Sequence, residues 1–564
     1  MLMMASAAIA SQGAEKKAPQ FLSNYVLQAV SPNGQWTVSE LYGNVTLINI
    51  ETGAETTFMA DETGTKNYTV GTGNALSNDG LLICSSGSTS YGEYYEDGEW
   101  KQLKVGTATN SNSFPNGVTP DGKRICGNIG LHETSFDDVT MCVPAIWDRQ
   151  ADGTFGDYVL LPHPTDDYFG RAPQYIKAIA ISDDGHTVVG QITDCRGFLA
   201  YPIVYTENAK GEWSYSLPTA GTFNPNNVAI PEYPGESPNP PQAENYMTAD
   251  QIAAYNEARN AWAASGYQQE LYPEYVDYMS ADKRAQYEAD EAKYQADMAD
   301  WSPKWDAYDQ AYWEICSTSP NFETNQVALN PDGKFIAVTH TFDEQDPMSW
   351  FPKTVNNVWV YSLIDNSVTK YDSPNMNVKS CAGDYITAVE VDQESGCYNG
   401  FLLKDGTVTS LYDYLCAQGD DIKEWVDLNM THQTEYFDYE TESVVTKEVS
   451  YTGLPSASRD LSVIVSWTQS VWGDYSPESY LFQLEGLNSI TTPATSARPM
   501  AFDANGNLHV GNDAAEVAVY DLAGVCRVRG AVNGASVPCD LAPGVYIVKV
   551  TYTDGSVATG KTVR

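Results

Sequence analysis

Asn330-Pro331-Asp332-Gly333-Lys334-Phe335-Ile336-Ala337-Val338 is the stretch from which the fold can be read. A small polar residue, then Pro, then Asp-Gly dictates a tight reversal. Pro presets φ early in the turn, and Asp-Gly supplies φ > 0 where the chain comes back. The apolar run after it has the make-up of a buried strand. The pattern returns as Val30-Ser31-Pro32-Asn33-Gly34, Leu76-Ser77-Asn78-Asp79-Gly80, Val118-Thr119-Pro120-Asp121-Gly122 and Ile181-Ser182-Asp183-Asp184-Gly185. Degenerate copies lie near residues 388 and 456: Ile386–Val391 runs on to Phe401–Leu411 without Asp-Gly, and Ser456–Val465 has Arg459-Asp460 in its place.

Each opening is followed by a second hairpin of β-branched and aromatic strands. Examples are Val45–Ile50 turning at Thr52-Gly53 into Glu55–Phe58, and Val358–Leu363 turning at Asp365-Asn366. Two hairpins make a four-stranded unit, which cannot bury both faces alone and must stack on neighbours. Openings at 31, 77, 119, 182 and 330, then near 388 and 456, give seven units, with an insertion of roughly 80 residues in the long 182–330 gap. The expected fold is mainly β: a seven-bladed β-propeller over 21–490, whose closure removes open sheet edges. A sandwich array or a solenoid is the alternative. These openings resemble the repeats of TolB-like and WD40-like propellers, a resemblance that implies architecture and no chemistry.

The insertion reads as helical over 242–316. Pro231–Pro241 is an extended linker, and Thr248-Ala249-Asp250-Gln251 is a capping box that opens a helix ending near Ser265-Gly266. Ser280 opens a second helix, which Ser302-Pro303 is expected to interrupt. Tyr287, Tyr294, Trp301 and Tyr308 recur every seven residues, as do Met298, Trp305 and Tyr312, so both rows share one face. That face either packs against the rest of the insertion and the propeller wall, or offers Tyr287, Tyr294, Trp301, Trp305, Tyr308 and Tyr312 as a platform for sugar rings or a protein partner.

Past Ala497 the repeats stop. Val517–Asp521, Val525–Arg529, Val545–Val550 and Gly560–Arg564 alternate with Gly-containing turns, the pattern of a small β-sandwich over 497–564. The order Val-Tyr-Asp-Leu-Ala-Gly, then Leu541-Ala542-Pro543-Gly544-Val545-Tyr546-Ile547-Val548-Lys549-Val550, then a basic end, resembles the C-terminal sorting domains of Bacteroidetes type IX secretion cargo. Val525-Cys526 departs from it. The resemblance implies export, type IX machinery as a partner, and a cell-surface or secreted address. Met1–Ala14, apolar with small-residue cleavage-like spacing, agrees as a shortened signal peptide.

Composition bounds the partners. The chain has 564 residues, 31 Lys+Arg against 74 Asp+Glu, and a formal net charge of −43, which excludes a generic nucleic-acid binder. Hydrophobic residues at 42% and 37 Tyr support a large core rather than disorder. No apolar run approaches the about 18 residues of a membrane helix. Of the 10 Cys, Cys84 and Cys126 hold strand positions that carry Val in other repeats and read as core. Cys381/Cys397 and Cys526/Cys539 are spaced as candidate disulfides of an oxidising compartment.

No motif for catalysis, cofactor or metal emerges. Gly555–Thr562 matches the phosphate-loop letters G-x-x-x-x-G-K-T, but only Val563 and Arg564 follow, so no helix can present its N-terminus and the segment is a last strand. Sialidase-type Asp boxes space Asp and Gly differently. The six His form no H-E-x-x-H; His340 and Asp343 after an inner strand read as loop residues. Asp137-Asp138 and Asp166-Asp167 read as solvated charge and match no calcium loop. The expectation is a ligand- or partner-binding propeller rather than an enzyme. The alternative is a secreted glycan- or peptide-directed hydrolase with converging carboxylates in the funnel.

Overall fold

The computed structural model describes residues 17–564 except 61–66, 72, 87–90, 106–110, 133–138, 220, 268–271, 345–352, 372–374, 392–397, 439–442, 470–476, 485–500, 504–505, 511–513, 522–525, 533, 535, 540, 543 and 554–556. The signal-like Met1–Ala14 and the Asp137-Asp138 pair therefore lie outside the described residues. The chain divides into two compact units, Ala18–Arg459 with Val463–Phe482, and a smaller one containing Gln483–Arg564.

The larger unit is built from four-stranded antiparallel sheets that follow in chain order. Sheets 1 to 6 begin with Leu27–Val30, Tyr68–Val70, Ser111–Val118, Tyr175–Ile181, Asn321–Leu329 and Met376–Ala382, and each continues as an up-and-down meander. Sheet 7 is composite. Leu454–Ala457, Val463–Gln469 and Pro477–Gln483 are completed by Lys17–Ser23 from the other end of the chain. The repeat pattern gave no sign of that strand, because it lies outside any repeat opening.

The turns follow the expected chemistry. Gly34, Gly80, Gly122, Gly185 and Gly333 have φ between +64° and +84°, and each donates its N–H to the residue three back, Ser31, Ser77, Thr119, Ser182 or Asn330. The two degenerate openings sit elsewhere than expected. Sheet 6 reverses at Gly383-Asp384, between Ala382 and Tyr385. In sheet 7 the opener is Ser458, whose N–H bonds to the Val463 carbonyl, and Leu461 takes glycine's place at φ +56°.

Each sheet's first strand packs on the sheet before it, from Tyr68–Val70 on sheet 1 through Leu454–Ala457 on sheet 6, and Leu27–Val30 packs on sheet 7. The contacts form a cycle, as a β-propeller requires. Apolar side chains fill the spaces between sheets. Cys126, Ile146, Val188 and Ile203 form one core with residues of sheets 4 and 5, and Leu47, Leu82, Ile125 and Trp147 another. Cys84 and Cys126 are fully buried free thiols, as their strand positions implied.

Between sheets 4 and 5 lie α1 (Ala249–Ala264) and α2 (Ala281–Thr318). The Thr248/Gln251 capping box forms at both of its hydrogen bonds. α2 runs unbroken through Pro303, against the expected interruption. Pro lacks only one N–H, and packing along the aromatic face holds the flanking turns together. The strand-like segment expected over Phe401–Leu411 forms as strands reaching Ser410, and two short helices follow it, α3 (Leu411–Cys416) and α4 (Asp420–Asn429). Ser410 caps α3 by accepting the Asp413 N–H.

In the smaller unit, Ala501–Phe502, Asn507–His509 and Ser536–Pro538 form a three-stranded sheet. Ala514–Tyr520, Cys526–Ala531, Val545–Tyr552 and Val557–Val563 form a four-stranded one. Leu508, Val517, Val519, Val548 and Val550 share one core. Val557–Val563 is a strand, so the phosphate-loop letters form no phosphate loop. Cys526 and Cys539 stand as free thiols, one exposed and one buried, which overturns that disulfide candidate. Buried Cys381 is likewise free, and Cys397 lies outside the described residues.

Candidate functional site

The opening turns of the larger unit meet at one end and bond to one another in order. Asn33 N–H donates to the Asn78 side chain, Asn78 N–H to Pro120 O, and Arg124 Nη1 to Gly185 O. Asp183 N–H donates to Pro331 O, Asn330 Nδ2 to Gly383 O, Arg459 Nη1 to Cys381 O, and Arg459 N–H to Pro32 O. The ring is complete. Arg459 also reaches past its neighbours to Asp183 of the fourth turn, with Nη2···Oδ1 at 2.7 Å and Nε···Oδ2 at 3.2 Å. This bidentate pair ties the seventh turn to the fourth.

Beside the ring is a cavity of about 420 Å³, walled by the first strands of sheets 1, 2, 5, 6 and 7. Its charged wall residues are Glu40, Lys379 and Arg459. Arg459 is neutralised by Asp183. Glu40 accepts the Val70 N–H at 2.9 Å; burial raises its pKa, and that hydrogen bond works against the rise. Among the described residues Lys379 has no salt-bridge or hydrogen-bond partner, and desolvation lowers its pKa. Lys379 is exposed to solvent at the cavity, and the protein crowded around it still disfavours its charge. Asn74 and Gln326 line the same wall, and their buried Nδ2 and Oε1 atoms have no hydrogen-bond partner among the described residues.

A repeated backbone device aims these side chains. In sheet 6, Val378 pairs with Ala388 and Ser380 with Thr387, leaving Lys379 as the extra residue of a β-bulge. The same single-residue bulge falls at Gln28, Asn116 and Ile179 in sheets 1, 3 and 4. Bulges re-aim a side chain and recur next to functional sites. Each bulged residue lies three before its turn opener (Ser31, Thr119, Ser182, Ala382), and Asn74 lies three before Ser77. Among these positions only Lys379 carries charge. That offset was readable in the sequence. It stayed hidden at Lys379 because Ala382-Gly383-Asp384 lacks the Ser/Thr opener that marks the other repeats.

The aromatic face of α2 is covered. Tyr308 and Tyr312 are buried, and Tyr287, Tyr294, Trp301 and Trp305 are half-buried. The 231–246 segment lies over it: Tyr233 packs on Trp305 and Tyr308, Gly235 O accepts the Trp301 indole N–H, and Tyr246 packs on Tyr287. Tyr312 donates to Asp194 at 2.5 Å, and Arg196 pairs with Asp309 while stacking on Tyr312.

Two other groupings are structural. Asp167, Asp194 and Cys195 place ligand-type atoms within 4.8 Å of one another. Asp167 Oδ1 already accepts the Phe169 and Arg171 N–H groups and Oδ2 that of Cys195; Asp194 Oδ1 accepts those of Phe198 and Leu199. Asp167 is thus buried, not the solvated charge expected of the Asp166-Asp167 pair. His340 is buried and stacked on Trp359 at 4.3 Å, and burial, with a smaller effect of Lys370, lowers its pKa to about 4. It is a neutral core ring near pH 7. The Asp343 side chain lies outside the described residues.

No known protein family and no curated protein matches the chain. Among solved structures, it is similar to the β-propeller domain of the Trilobed protease from Pyrococcus furiosus (8% identity, 84% of this chain and 99% of that chain, TM-score 0.28). It is also similar to the Cps50 (Swd1) β-propeller domain of Myceliophteria thermophila (8% identity, 82% and 97%, TM-score 0.34). A protein assigned as TolB from Agrobacterium tumefaciens is a further likeness (10% identity, 63% and 88%, TM-score 0.29). Likenesses this distant say nothing of activity.

Proposed function

We propose that the chain is an exported, surface-associated seven-bladed β-propeller with a C-terminal β-sandwich sorting module, and that it works as a binding module whose ligand sits in the axial cavity. The observation that carries this reading is the cavity itself: a walled space into which the bulged residues Gln28 and Lys379 project, with Asn74 and Gln326 on the same wall. Cavities of this size with a few convergent polar groups are the usual form of small-molecule sites. Glu40 is the one carboxylate among the described residues of the wall. A glycosidase-type site needs two, so binding is favoured over the hydrolase alternative. The cover over the α2 aromatic face favours the cavity over that face as the binding surface.

The test is a glycan array and a hydrolase panel run on the purified full chain. Saturable binding without turnover is the expected result. Glycan cleavage that disappears in Glu40→Gln would replace the binding reading with the enzymatic one. For export, residues 497–564 fused to a reporter should direct it to the surface of a type IX-competent host; retention inside would remove that part of the proposal.

A further inference from the structure

Resting on the reading of the axial cavity as a ligand site, we infer that Lys379 is its recognition residue and that the ligand class is a small, hydroxyl-rich carboxylate, an acidic sugar in chemical terms. Three observations converge. First, Lys379 is the only cation of the described wall left uncompensated, since Arg459 already holds Asp183. Second, its position is built by the same single-residue bulge that presents Gln28 to this cavity from sheet 1, so a charged residue stands where the equivalent wall position carries an amide. Third, Asn74 and Gln326 bring two amide side chains to the same wall. An ammonium crowded by protein and lacking a counter-ion among the described residues favours an anion that enters beside it.

The amides define the rest of the ligand. Asn74 and Gln326 line the wall, and amide side chains both donate and accept, roles that ligand hydroxyl groups match. Half-buried Trp467, also on the wall, adds an aromatic surface for a sugar ring. A bare inorganic anion would satisfy Lys379 and leave the amides unmatched. The net charge of −43 repels anions at long range, but at physiological salt that field is screened beyond about 8 Å, so the local ammonium decides.

The experiment is competitive lysine acylation of the full chain, read peptide by peptide by mass spectrometry, with D-glucuronate, D-glucose and inorganic phosphate as probes. Without probe, Lys379 should acylate faster than exposed, ion-paired Lys293 and Lys423, because its lowered pKa leaves more free amine. Glucuronate at ten times its Kd should slow labelling of Lys379 about tenfold and leave the other lysines unchanged. Glucose and phosphate should protect little. Lys379→Met should weaken glucuronate binding in calorimetry roughly ten- to a hundredfold, while Lys379→Arg keeps most of it. Lys379→Met should also fold at least as stably as the parent, since it removes an enclosed charge, so lost binding is not lost structure.

Equal protection by glucose, or undiminished glucuronate binding by Lys379→Met, overturns the role of Lys379 and leaves the cavity as a ligand site. Protection by phosphate but not glucuronate overturns the ligand class. Protection by no probe overturns the inference, and slow labelling of Lys379 in the free protein overturns the open cavity as well.

Discussion

The Arg459–Asp183 pair offers the sharpest test of how the larger unit is held closed. Arg459 stands where three other turns carry Pro (Pro32, Pro120, Pro331), so its side chain is free to reach the fourth turn. Its side chain is 21% exposed and that of Asp183 31%, a setting between surface and interior. Exposed pairs contribute about 0.2–1 kcal/mol, whereas breaking a fully buried pair costs about 3–5 kcal/mol. A bidentate pair of intermediate exposure should therefore show a coupling of about 1–2 kcal/mol. Arg459→Met keeps the backbone N–H bond to Pro32 and the aliphatic stem but also loses the bond to Cys381 O, so its total cost should be about 2–3 kcal/mol. Asp183→Asn keeps a neutral acceptor and should cost about 1 kcal/mol. The assay is a double-mutant cycle by urea unfolding, repeated at low and high salt, with the coupling falling as salt rises. Strict additivity, with coupling within about 0.3 kcal/mol of zero, would refute the idea that this contact helps hold the seventh and fourth turns together.

Other outcomes follow from single sites. Gly80 and Gly53 both have positive φ, but a Cβ on Gly80 would come within 2.6 Å of the Trp36 ring while one on Gly53 meets nothing within 4 Å. Gly80→Ala should cost about 2–4 kcal/mol and Gly53→Ala about 1 kcal/mol in thermal or urea unfolding; equal costs would contradict the packing argument. His340 stays neutral in the fold down to about pH 4, against 6.5 when unfolded. Below pH 6.5 the unfolded chain gains a proton that the folded one refuses, so the stability this residue brings is complete above that pH and fades toward pH 4, by at most about 3 kcal/mol. His340→Phe should flatten that part of the stability–pH curve, and an unchanged slope would contradict the assignment. Tyr312→Phe removes a donor from the buried Asp194 carboxylate and should cost about 1.5–3 kcal/mol, measured by unfolding and by proteolysis of the α2 segment; a neutral result would mean the contact anchors nothing.

The local code was legible because turns depend on residues adjacent in sequence. Pro and Asp-Gly set backbone angles wherever they stand, so five openings, the Thr248 cap and the alternation of Val557–Val563 could be read directly. The interruption expected at Pro303 failed for the converse reason: propensity there is weak, and packing decides.

Three features came only with the tertiary structure. Lys17–Ser23 joins sheet 7 because an edge needs a partner, wherever in the chain that partner lies. Arg459 finds Asp183 because ring closure brings distant turns together. Lys379 faces the cavity because one extra residue in a strand re-aims it and four other sheets wall the same space. Sequence alone determined the repeating unit and the charge of the chain. Which side chains share an enclosed space, and which of them lack a counter-ion, was decided by the closure of sheets far apart along it.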